Sequence, residues 1–533
     1  MRQALVPAGR QPARKAPALI ETRTIPAPVK GWTAQDSLVE APPGTAPILD
    51  NWFPEADAVR IRRGYESFST GVGGSIRTMM AYVSGTVQKM FAARSNGSIY
   101  DTTSAGAATL SYSTGRSSGD YQWTMFGNVA GQYLYVVNGS DPPIYFDGSA
   151  WVVPVLTDMP DTTNLIGIVA HKKRLWFAEE NTPSVWYLDT DAIAGSLSEF
   201  DISGQLTKGG HIMALATWTV DGGAGVDDLM AIISSEGQVV VYTGIDPTSA
   251  TQWLLQGVYD IGKPIGRKSV YKLGGDLVVV TEDGLIPMSV ALLTDRTAAA
   301  EKSYSRRIRR AYNDAVRLGV AEFGWQLETH PRNQMALLNI PPVAGTPAQQ
   351  FVYNVTTGAW ARWTNMDATC WLQFQGGLYF GGPAGTVFKA DSGTSDNGAA
   401  IPARMLPAFD DLGAPGRVKY VTGITPILSS DVPNADARPS VVCAVDYTEP
   451  GYTNQVADEI SLGVGNFGVW GVSLWGQCVW FGQSTTRKWR SGGGIGKAIS
   501  PAFSVDLASA TSGSNFLYRV IGFDINFQYG AQL

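Results

Sequence analysis

The chain has 533 residues, of which only 16% are charged, and its formal net charge is −6. This length allows two or three domains, and the acidic balance argues against a general nucleic-acid-binding protein, which normally carries a basic surplus. With 60 glycines, 16 tryptophans and 21 tyrosines, the composition is typical of short strands, tight turns and aromatic packing. The composition therefore predicts a mostly β protein.

The N-terminal segment has a different character. Residues 1–30 contain six basic residues and a single acid, Glu21, and they lack the apolar core of a signal peptide. Such a segment cannot form a core of its own. We predict that residues 1–48 are an extended docking arm that orders on a neighbouring subunit, with a flexible tail as the alternative. Residues 49–70 are predicted to be strands of a platform that lead into the main fold.

An internal repeat occupies the middle of the chain. Each copy has an apolar strand, a short polar turn that often holds glycine, and a second strand with an aromatic residue near its end. The copies begin at residues 89, 133, 174, 229, 277, 335 and 378, so they are 41 to 58 residues apart. A four-stranded propeller blade takes about 40–50 residues. The repeat therefore predicts a β-propeller of about seven blades over residues 71–400, in preference to an array of β-sandwiches.

One segment within the repeat region has helical character. Residues 297–320 are rich in alanine and predict a helix inserted between the fifth and sixth blades, with Ile308, Tyr312 and Ala315 on its buried stripe. Its other face is basic. The arginines are Arg306, Arg307, Arg309, Arg310 and Arg317. Two interpretations stay open, a solvated face that pairs with a neighbouring subunit and a patch that contacts DNA phosphates.

The repeat ends near residue 400. Alternating apolar and polar residues at 439–448 and 518–529 predict a separate antiparallel β domain over residues 401–533, which would form a platform or tip. Between these stretches, residues 463–483 are rich in glycine and tryptophan. That composition suits a surface loop or a contact between subunits.

The sequence offers no recognisable catalytic constellation. The histidines fall in different predicted blades without ligand spacing, and the cysteines form no CxxC pair, so we interpret them as structural histidines and free thiols. They are His171, His211, His330, Cys370, Cys443 and Cys478. Motifs of nucleotide-binding loops, serine hydrolases and zinc proteases are missing from the sequence. We therefore predict a protein that is not an enzyme and has no catalytic residue, cofactor or metal.

Acidic pairs keep one enzymatic alternative open. Some propellers are glycosidases, which use two carboxyl groups as acid and base or nucleophile. The pairs here are Asp227–Asp228, Glu282–Asp283 and Asp410–Asp411. All are predicted at strand ends or turns, where acidic side chains commonly cap the backbone and face solvent. We interpret them as structural.

Three segments carry a resemblance to a known family. NWFPEADAVRIRRGYESF (51–68), DPTSATQWLLQGVYDIGKPIGRKSV (246–270) and YNVTTGAWARW (353–363) resemble the tail nozzle proteins of short-tailed bacteriophages, also called tail tubular protein B or packaged-DNA stabilisation proteins. The similarity runs from about residue 48 to the C-terminus. It implies a structural protein of the virion, assembled in the host cytoplasm, with a propeller and further β regions for platform and tip.

The resemblance also implies partners. The protein would form a ring of six copies below the tail adaptor and portal, carry tail fibres or spikes, and retain and eject double-stranded genomic DNA through the ring. The apolar runs are short strands, so we predict no membrane span. A receptor-binding tail spike or adhesin is the main alternative to a nozzle, and a propeller glycosidase is the other.

A DNA conduit places a physical condition on this fold. The inner strands fill the axis of a single propeller, which cannot pass a duplex about 20 Å wide, roughly twice the ~10 Å spacing of packed sheets. The channel would have to lie between subunits, which requires cyclic symmetry and heterologous contacts. We expect these contacts from residues 1–70, the Arg306–Arg317 segment and the C-terminal β domain. A mildly acidic wall would also avoid holding the DNA.

Overall fold

A computed structural model of the chain describes residues 20–34, 37–221, 226–343, 346–430, 437–451, 484–487, 493–507 and 517–530. Most of these residues lie in antiparallel strands. The strand Gln238–Gly244 shows why these segments form strands. Its side chains alternate between two apolar clusters, with Val239 and Val241 in one and Val240 and Tyr242 in the other. A strand that is apolar on both faces needs a neighbour on each side, and a ring of blades provides both.

The first four blades are four-stranded sheets in which spatial order follows chain order. Blade 1 comprises Ile76–Ser84, Val87–Arg94, Ile99–Asp101 and Thr109–Tyr112; blade 2 comprises Gln122–Asn128, Gly131–Val137, Ile144–Phe146 and Trp151–Val152. Blade 3 comprises Leu165–His171, Arg174–Glu179, Ser184–Tyr187 and Ser198–Asp201; blade 4 comprises Ile212–Asp221, Val226–Ser234, Gln238–Gly244 and Trp253–Asp260. Leu156–Thr157 and Gly195–Ser196 form a small parallel pair beside them.

Of the remaining three blades, blade 6 keeps this pattern, while blades 5 and 7 depart from it. Blade 5 has only three strands, Val270–Leu273, Asp276–Thr281 and Gly284–Pro287. Blade 6 comprises Gln326–His330, Met335–Ile340, Gln349–Asn354 and Trp360–Thr364. Blade 7 comprises Cys370–Phe374, Gly377–Gly381, Val387–Ala390 and the N-terminal strand Tyr65–Thr70, beside which Gly106–Ala107 pairs in parallel.

The ring of seven blades is closed. The first strand of each blade contacts the first strand of the next, and that of blade 7 contacts that of blade 1. Each predicted hairpin lies within a separate blade, so the predicted propeller of about seven blades is confirmed. The predicted span of 71–400 leaves out Tyr65–Thr70, which completes blade 7. Its pairing with Val387–Ala390 joins distant parts of the chain and gives no local signal.

The insertion between blades 5 and 6 is helical, but it is not one continuous helix. It contains the α-helices Met288–Ala291, Arg296–Glu301 and Arg309–Gly319 and the 3-10 helix Tyr304–Ile308. The backbone leaves the helical conformation at Ser303, with φ −60° and ψ 149°. Ile308, Tyr312 and Ala315 are buried as predicted. The Tyr312 hydroxyl donates a hydrogen bond of 2.5 Å to the Thr281 carbonyl, which fixes the insertion to blade 5.

Strands from both ends of the chain form a further region, which we call the platform and which comprises the described residues within 20–61 and 401–530. One of its sheets continues blade 6. Ile48–Asp50 pairs in parallel with the last strand of blade 6, Trp360–Thr364. Three further strands follow, each antiparallel to the one before it, so the sheet has eight strands: Ile401–Leu406, Ile499–Leu507 and Ala437–Val445. The second sheet contains Glu21–Pro26, Trp52–Pro54, Val59–Ile61, Lys419–Ser430, Ser484–Arg487, Gly494–Gly496 and Tyr518–Tyr529.

Part of the N-terminal arm is ordered on its own chain. Glu21–Pro26 pairs along Tyr518–Tyr529 of the same chain, and the buried Trp32 packs its ring against Phe351 with centroids 5.1 Å apart. Residues 20–34 therefore need no neighbouring subunit to become ordered, and docking of residues 1–48 on a neighbouring subunit stays a prediction. Strand pairing and the burial of Trp32 already give these residues partners within their own chain. Residues 1–19, and the glycine- and tryptophan-rich segment 463–483, lie outside the described residues.

Candidate functional site

The five arginines of the predicted site share one segment of the insertion. Arg306 and Arg307 lie on the 3-10 helix, and Arg309, Arg310 and Arg317 lie on the following α-helix. All are exposed except Arg309, which is half-buried. The structure thus places the predicted residues at the surface of one part of the insertion, Arg306–Arg317, which we call the arginine segment.

Several of these arginines already have partners within the chain. Glu301 is 2.6 Å from Nη1 of Arg309 and 3.6 Å from Nε of Arg306. Arg307 donates a hydrogen bond of 3.1 Å to the carbonyl of Lys30 and so touches the platform. Arg317 pairs with Asp314 at 3.1 Å. Since exposed ion pairs of this kind contribute about 0–1 kcal/mol each, they leave the arginines able to exchange partners at low cost.

A second group of residues, polar and apolar, which the sequence did not single out, surrounds the propeller axis. An inner cavity of about 210 Å³ is lined by inner-strand residues from every blade. Representative residues, one per blade, are Met79, Gln122, Ile168, Leu215, Tyr271, Glu328 and Leu372. An outer cavity of about 370 Å³ lies under residues 320–325, and Gln122, Arg267 and Lys268 line both cavities. These three residues therefore form the wall that the two cavities share.

Phe323 is held at the outer cavity between two cations. The Arg77 guanidinium lies 3.7 Å from the centre of the Phe323 ring, and the Lys268 ammonium lies 5.5 Å from it. Asp120 fixes Arg77 with two hydrogen bonds of 2.7 and 3.0 Å. Cation–π contacts of this geometry are attractive by about 0.5–2 kcal/mol each. The Phe323 side chain is therefore held in place beside the outer cavity and narrows this end of the axis.

Lys268 and Glu328 face the inner cavity without forming an ion pair. The Lys268 ammonium donates a 3.4 Å hydrogen bond to Thr78 Oγ1, and none of the described carboxylates lies within 4 Å of it. Glu328 accepts a 3.3 Å hydrogen bond from Gln326. Burial lowers the pKa of Lys268 and raises the pKa of Glu328 to about 7. The charge of each residue opposes the pKa shift of the other but does not cancel it.

The residues weighed for catalysis have local structural partners. Burial lowers the pKa of His171 to about 4, and its Nδ1 lies 3.3 Å from Thr217 Oγ1. His330 is buried with Nε2 3.9 Å from Asp391. His211 lies in a third blade region, and within the described ranges no three His, Cys, Asp or Glu side chains are placed to share a metal ion. Cys370 and Cys443 are free thiols, while Cys478 lies outside the described residues.

The acidic pairs also act locally where they are described. Asp283 forms an ion pair of 2.6 Å with Arg296, and Asp228 lies 3.7 Å from Lys172. Asp410 and Asp411 accept hydrogen bonds from backbone N–H groups two residues ahead, as acids in turns do. The absence of catalysis stays a prediction, because these contacts describe the folded chain and not its reactivity.

The propeller and the platform are joined by charged contacts as well as by the shared sheet. Arg362 of blade 6 makes two hydrogen bonds of 2.7 Å to Asp50 on the neighbouring platform strand. Asn51 donates hydrogen bonds of 2.9 Å to Thr364 Oγ1 and 2.8 Å to the Pro402 carbonyl. These contacts bridge blade 6, the N-terminal strand and the first strand after the propeller. The two parts therefore meet in a continuous, hydrogen-bonded junction.

No protein-family model matches this chain, and no curated protein does. Among solved structures it is similar to a computationally designed protein, Ika8, with 11% identity and a TM-score of 0.34 over 61% of this chain and 99% of that one. It is similar to BBS1N from a complex with ARL6DN, with 10% identity and a TM-score of 0.38 over 62% and 97%. It is also similar to YCF48 bound to D1 peptide, with 8% identity and a TM-score of 0.27 over 63% of this chain and 98% of that one.

No helix in the described part of the chain combines the length and apolar character needed to cross a membrane.

Proposed function

We propose that this chain is a structural subunit of the tail nozzle of a short-tailed bacteriophage, forming a ring through which the packaged genome is retained and then ejected. The observation that carries the proposal is the eight-stranded sheet that continues blade 6 into the platform. A ring subunit under the load of packaged DNA needs its parts joined rigidly, and a shared sheet provides this better than a flexible linker.

The closed axis of the propeller supports a channel between copies. Phe323, held by Arg77 and Lys268, and the inner-strand side chains occupy the axis, so a duplex has no route through a single propeller. A conduit built from this chain therefore needs several copies around a common axis. Contacts between copies in a closed ring are heterologous, so each copy must offer two different surfaces.

The arginine segment is our proposed subunit-facing or DNA-facing surface. It lies outside the regular blades, and its arginines hold exposed, exchangeable pairs such as Arg306 with Glu301. In the same assembly the platform and the outer blade edges would meet the tail adaptor and the tail fibres or spikes. The location that follows is the virion, after assembly in the host cytoplasm.

The segments that carry the family resemblance have structural roles that suit the proposal. Residues 51–68 supply the platform hairpin Trp52–Pro54 and Val59–Ile61 and most of the strand that closes blade 7. Residues 353–363 lie on the blade 6 strands next to the platform, including Trp360, whose Nε1 donates to the Tyr304 carbonyl at 2.9 Å. These two segments thus fall on or beside the junction, while the third, residues 246–270, covers the outer strand Trp253–Asp260 of blade 4 and leads to blade 5.

Immunogold electron microscopy of particles produced from the genome that encodes this chain tests the proposal. Antibodies raised against the purified full-length chain should label the tail below the portal. Labelling only at the far tips of fibres or spikes would favour the adhesin alternative. Particles without any label, alongside detection of the chain in infected-cell lysate, would contradict a virion role.

A further inference from the structure

We propose that the propeller axis contains a binding site for a small oxyanion, of the size of phosphate or acetate, at the wall formed by Gln122, Arg267 and Lys268. The site is independent of the nozzle proposal, because it lies within a single chain. Both axial cavities open onto these three residues, and their combined space holds several water molecules or one small organic ion.

The charge balance at this wall favours an anion. Arg267 is paired with Glu180 at 2.5 Å, and the nearby Asp120 is occupied by Arg77. Among the described residues, Lys268 contacts Thr78 at 3.4 Å and the face of Phe323 and forms no ion pair. A buried ammonium without a direct counter-charge is costly, and an oxyanion in contact with it removes most of that cost.

The hydrogen-bonding capacity of the wall also suits oxyanion binding. An ammonium has three donors, and only one is used here, while the side-chain amide of Gln122 has no hydrogen bond within the described chain. Arg267 uses one N–H toward Glu180 and one toward the Asn138 carbonyl, so others stay free. Several donors that converge on one small volume form the usual cradle for carboxylate or phosphate oxygens.

A cation fits the same place poorly. Glu328 is the one acid that lines the inner cavity, and burial already favours its neutral form by raising its pKa. Lys268 and Arg267 would repel a cation on the opposite side. An anion at Lys268 would in turn raise the pKa of Lys268 and favour the protonated form of Glu328. Binding should therefore take up protons, which gives a readout that a purely structural cavity would not show.

Isothermal titration calorimetry of the full-length chain with sodium phosphate and with sodium acetate, at ionic strength held constant with chloride, tests the site. We expect saturable binding of at least one anion, with proton uptake seen as a dependence of the apparent enthalpy on the buffer. Lys268→Met should weaken binding about tenfold or more, and Gln122→Leu should weaken it less. Lys272→Met removes a lysine from the same blade and should leave the affinity unchanged.

Two results would overturn the site. One is the absence of saturable binding of either anion to the folded wild-type chain. The other is wild-type affinity in both single variants, Lys268→Met and Gln122→Leu. If Lys268→Met does not fold, wild-type affinity in Gln122→Leu alone would have the same meaning. Glu328→Gln removes the acid with which the positive group of a zwitterionic ligand would pair. For a simple anion, this variant should preserve or tighten binding of phosphate or acetate. A loss of binding in Glu328→Gln would be a third result that contradicts the proposal.

Discussion

The guanidinium of Arg62 and the carboxylate of Asp396 form a fully buried bidentate pair, with N–O distances of 2.7 and 2.6 Å. The other three N–H groups of Arg62 reach Asn51 Oδ1, the Arg63 carbonyl and the Thr364 carbonyl. All five donors of the guanidinium are therefore satisfied. The pair joins the strands that lead into the propeller to the loop that leaves blade 7.

Removing one partner of this pair should destabilise the whole chain. Asp396→Asn or Asp396→Ala leaves the Arg62 charge buried without its counter-charge, so we expect a loss of about 3–5 kcal/mol in the free energy of unfolding, measured by urea titration. Asp314→Ala is the matched control, because it breaks the exposed pair with Arg317 and should cost about 0–1 kcal/mol. Equal, small losses for the two sites would show that the buried pair does not fix the junction.

The strand that closes the ring offers a second test. Tyr65 packs edge-on against Phe380 and Phe388 of blade 7, with centroids 5.1 and 5.3 Å apart. Tyr65→Ala should cost about 2–4 kcal/mol and speed hydrogen exchange in blades 7 and 1 together, because the closing strand holds both. The control Leu110→Ala alters an exposed side chain on the outer strand of blade 1. Faster exchange confined to residues 65–70 would argue against closure by this strand.

His171 should make the folded chain less stable in mild acid. Its pKa is about 4 when folded and ordinarily 6.5, so between these values the unfolded chain binds a proton that the folded chain does not. Stability is then lost as pH falls through this window, by up to about 3 kcal/mol. His171→Gln should reduce the slope of urea midpoint against pH between 6.5 and 4. An unchanged slope would show that burial of this ring has no such effect.

Glu328 should act in the opposite direction. Its folded pKa of about 7 lies above the ordinary 4.5, so the folded chain binds the extra proton, and stability falls as pH rises from 4.5 through 7. Glu328→Gln should therefore raise the urea midpoint at pH 8 more than at pH 5. Glu322→Gln, which removes an acid from the exposed roof of the outer cavity, controls for net charge. A larger gain at pH 5 would reverse the sign and contradict the burial argument.

Charge reversal tests the arginine segment. Arg306→Glu with Arg310→Glu changes exposed side chains, so the free energy of unfolding should shift by less than about 1 kcal/mol. If the segment faces a neighbouring copy, the variant should fail to form rings; if it faces the lumen, rings should form but DNA retention should change. Normal rings with normal DNA retention would exclude both roles.

Much of the fold follows from local pattern. The repeated hairpins predict the blades because each strand alternates between two buried faces, as Val239 and Val240 do. The closing strand Tyr65–Thr70 and the platform strand Ile48–Asp50 could not be placed this way, since their partners lie hundreds of residues away. The break at Ser303 has no local signal either, because the alanine-rich residues before it and the arginine-rich residues after it both favour helix.

The inner cavity on the propeller axis shows why a functional site can escape prediction from sequence. Lys268 and Glu328 belong to different blades and face one cavity only because the ring closes. A charged residue in the inner strand Gln326–His330 is the only local hint of this placement. The arginine segment, by contrast, was visible as a run of basic residues, but no sequence feature says whether it meets protein or DNA.

Cryo-electron microscopy of the virion tail, reconstructed without imposed symmetry, would show whether copies of this chain form the DNA conduit. We expect a ring of six copies below the adaptor, with propeller axes closed and a lumen between copies that admits a duplex about 20 Å wide, roughly twice the ~10 Å spacing of packed sheets. Tails that lack the chain, that carry it only as monomers or trimers, or that show DNA density along a propeller axis would contradict it.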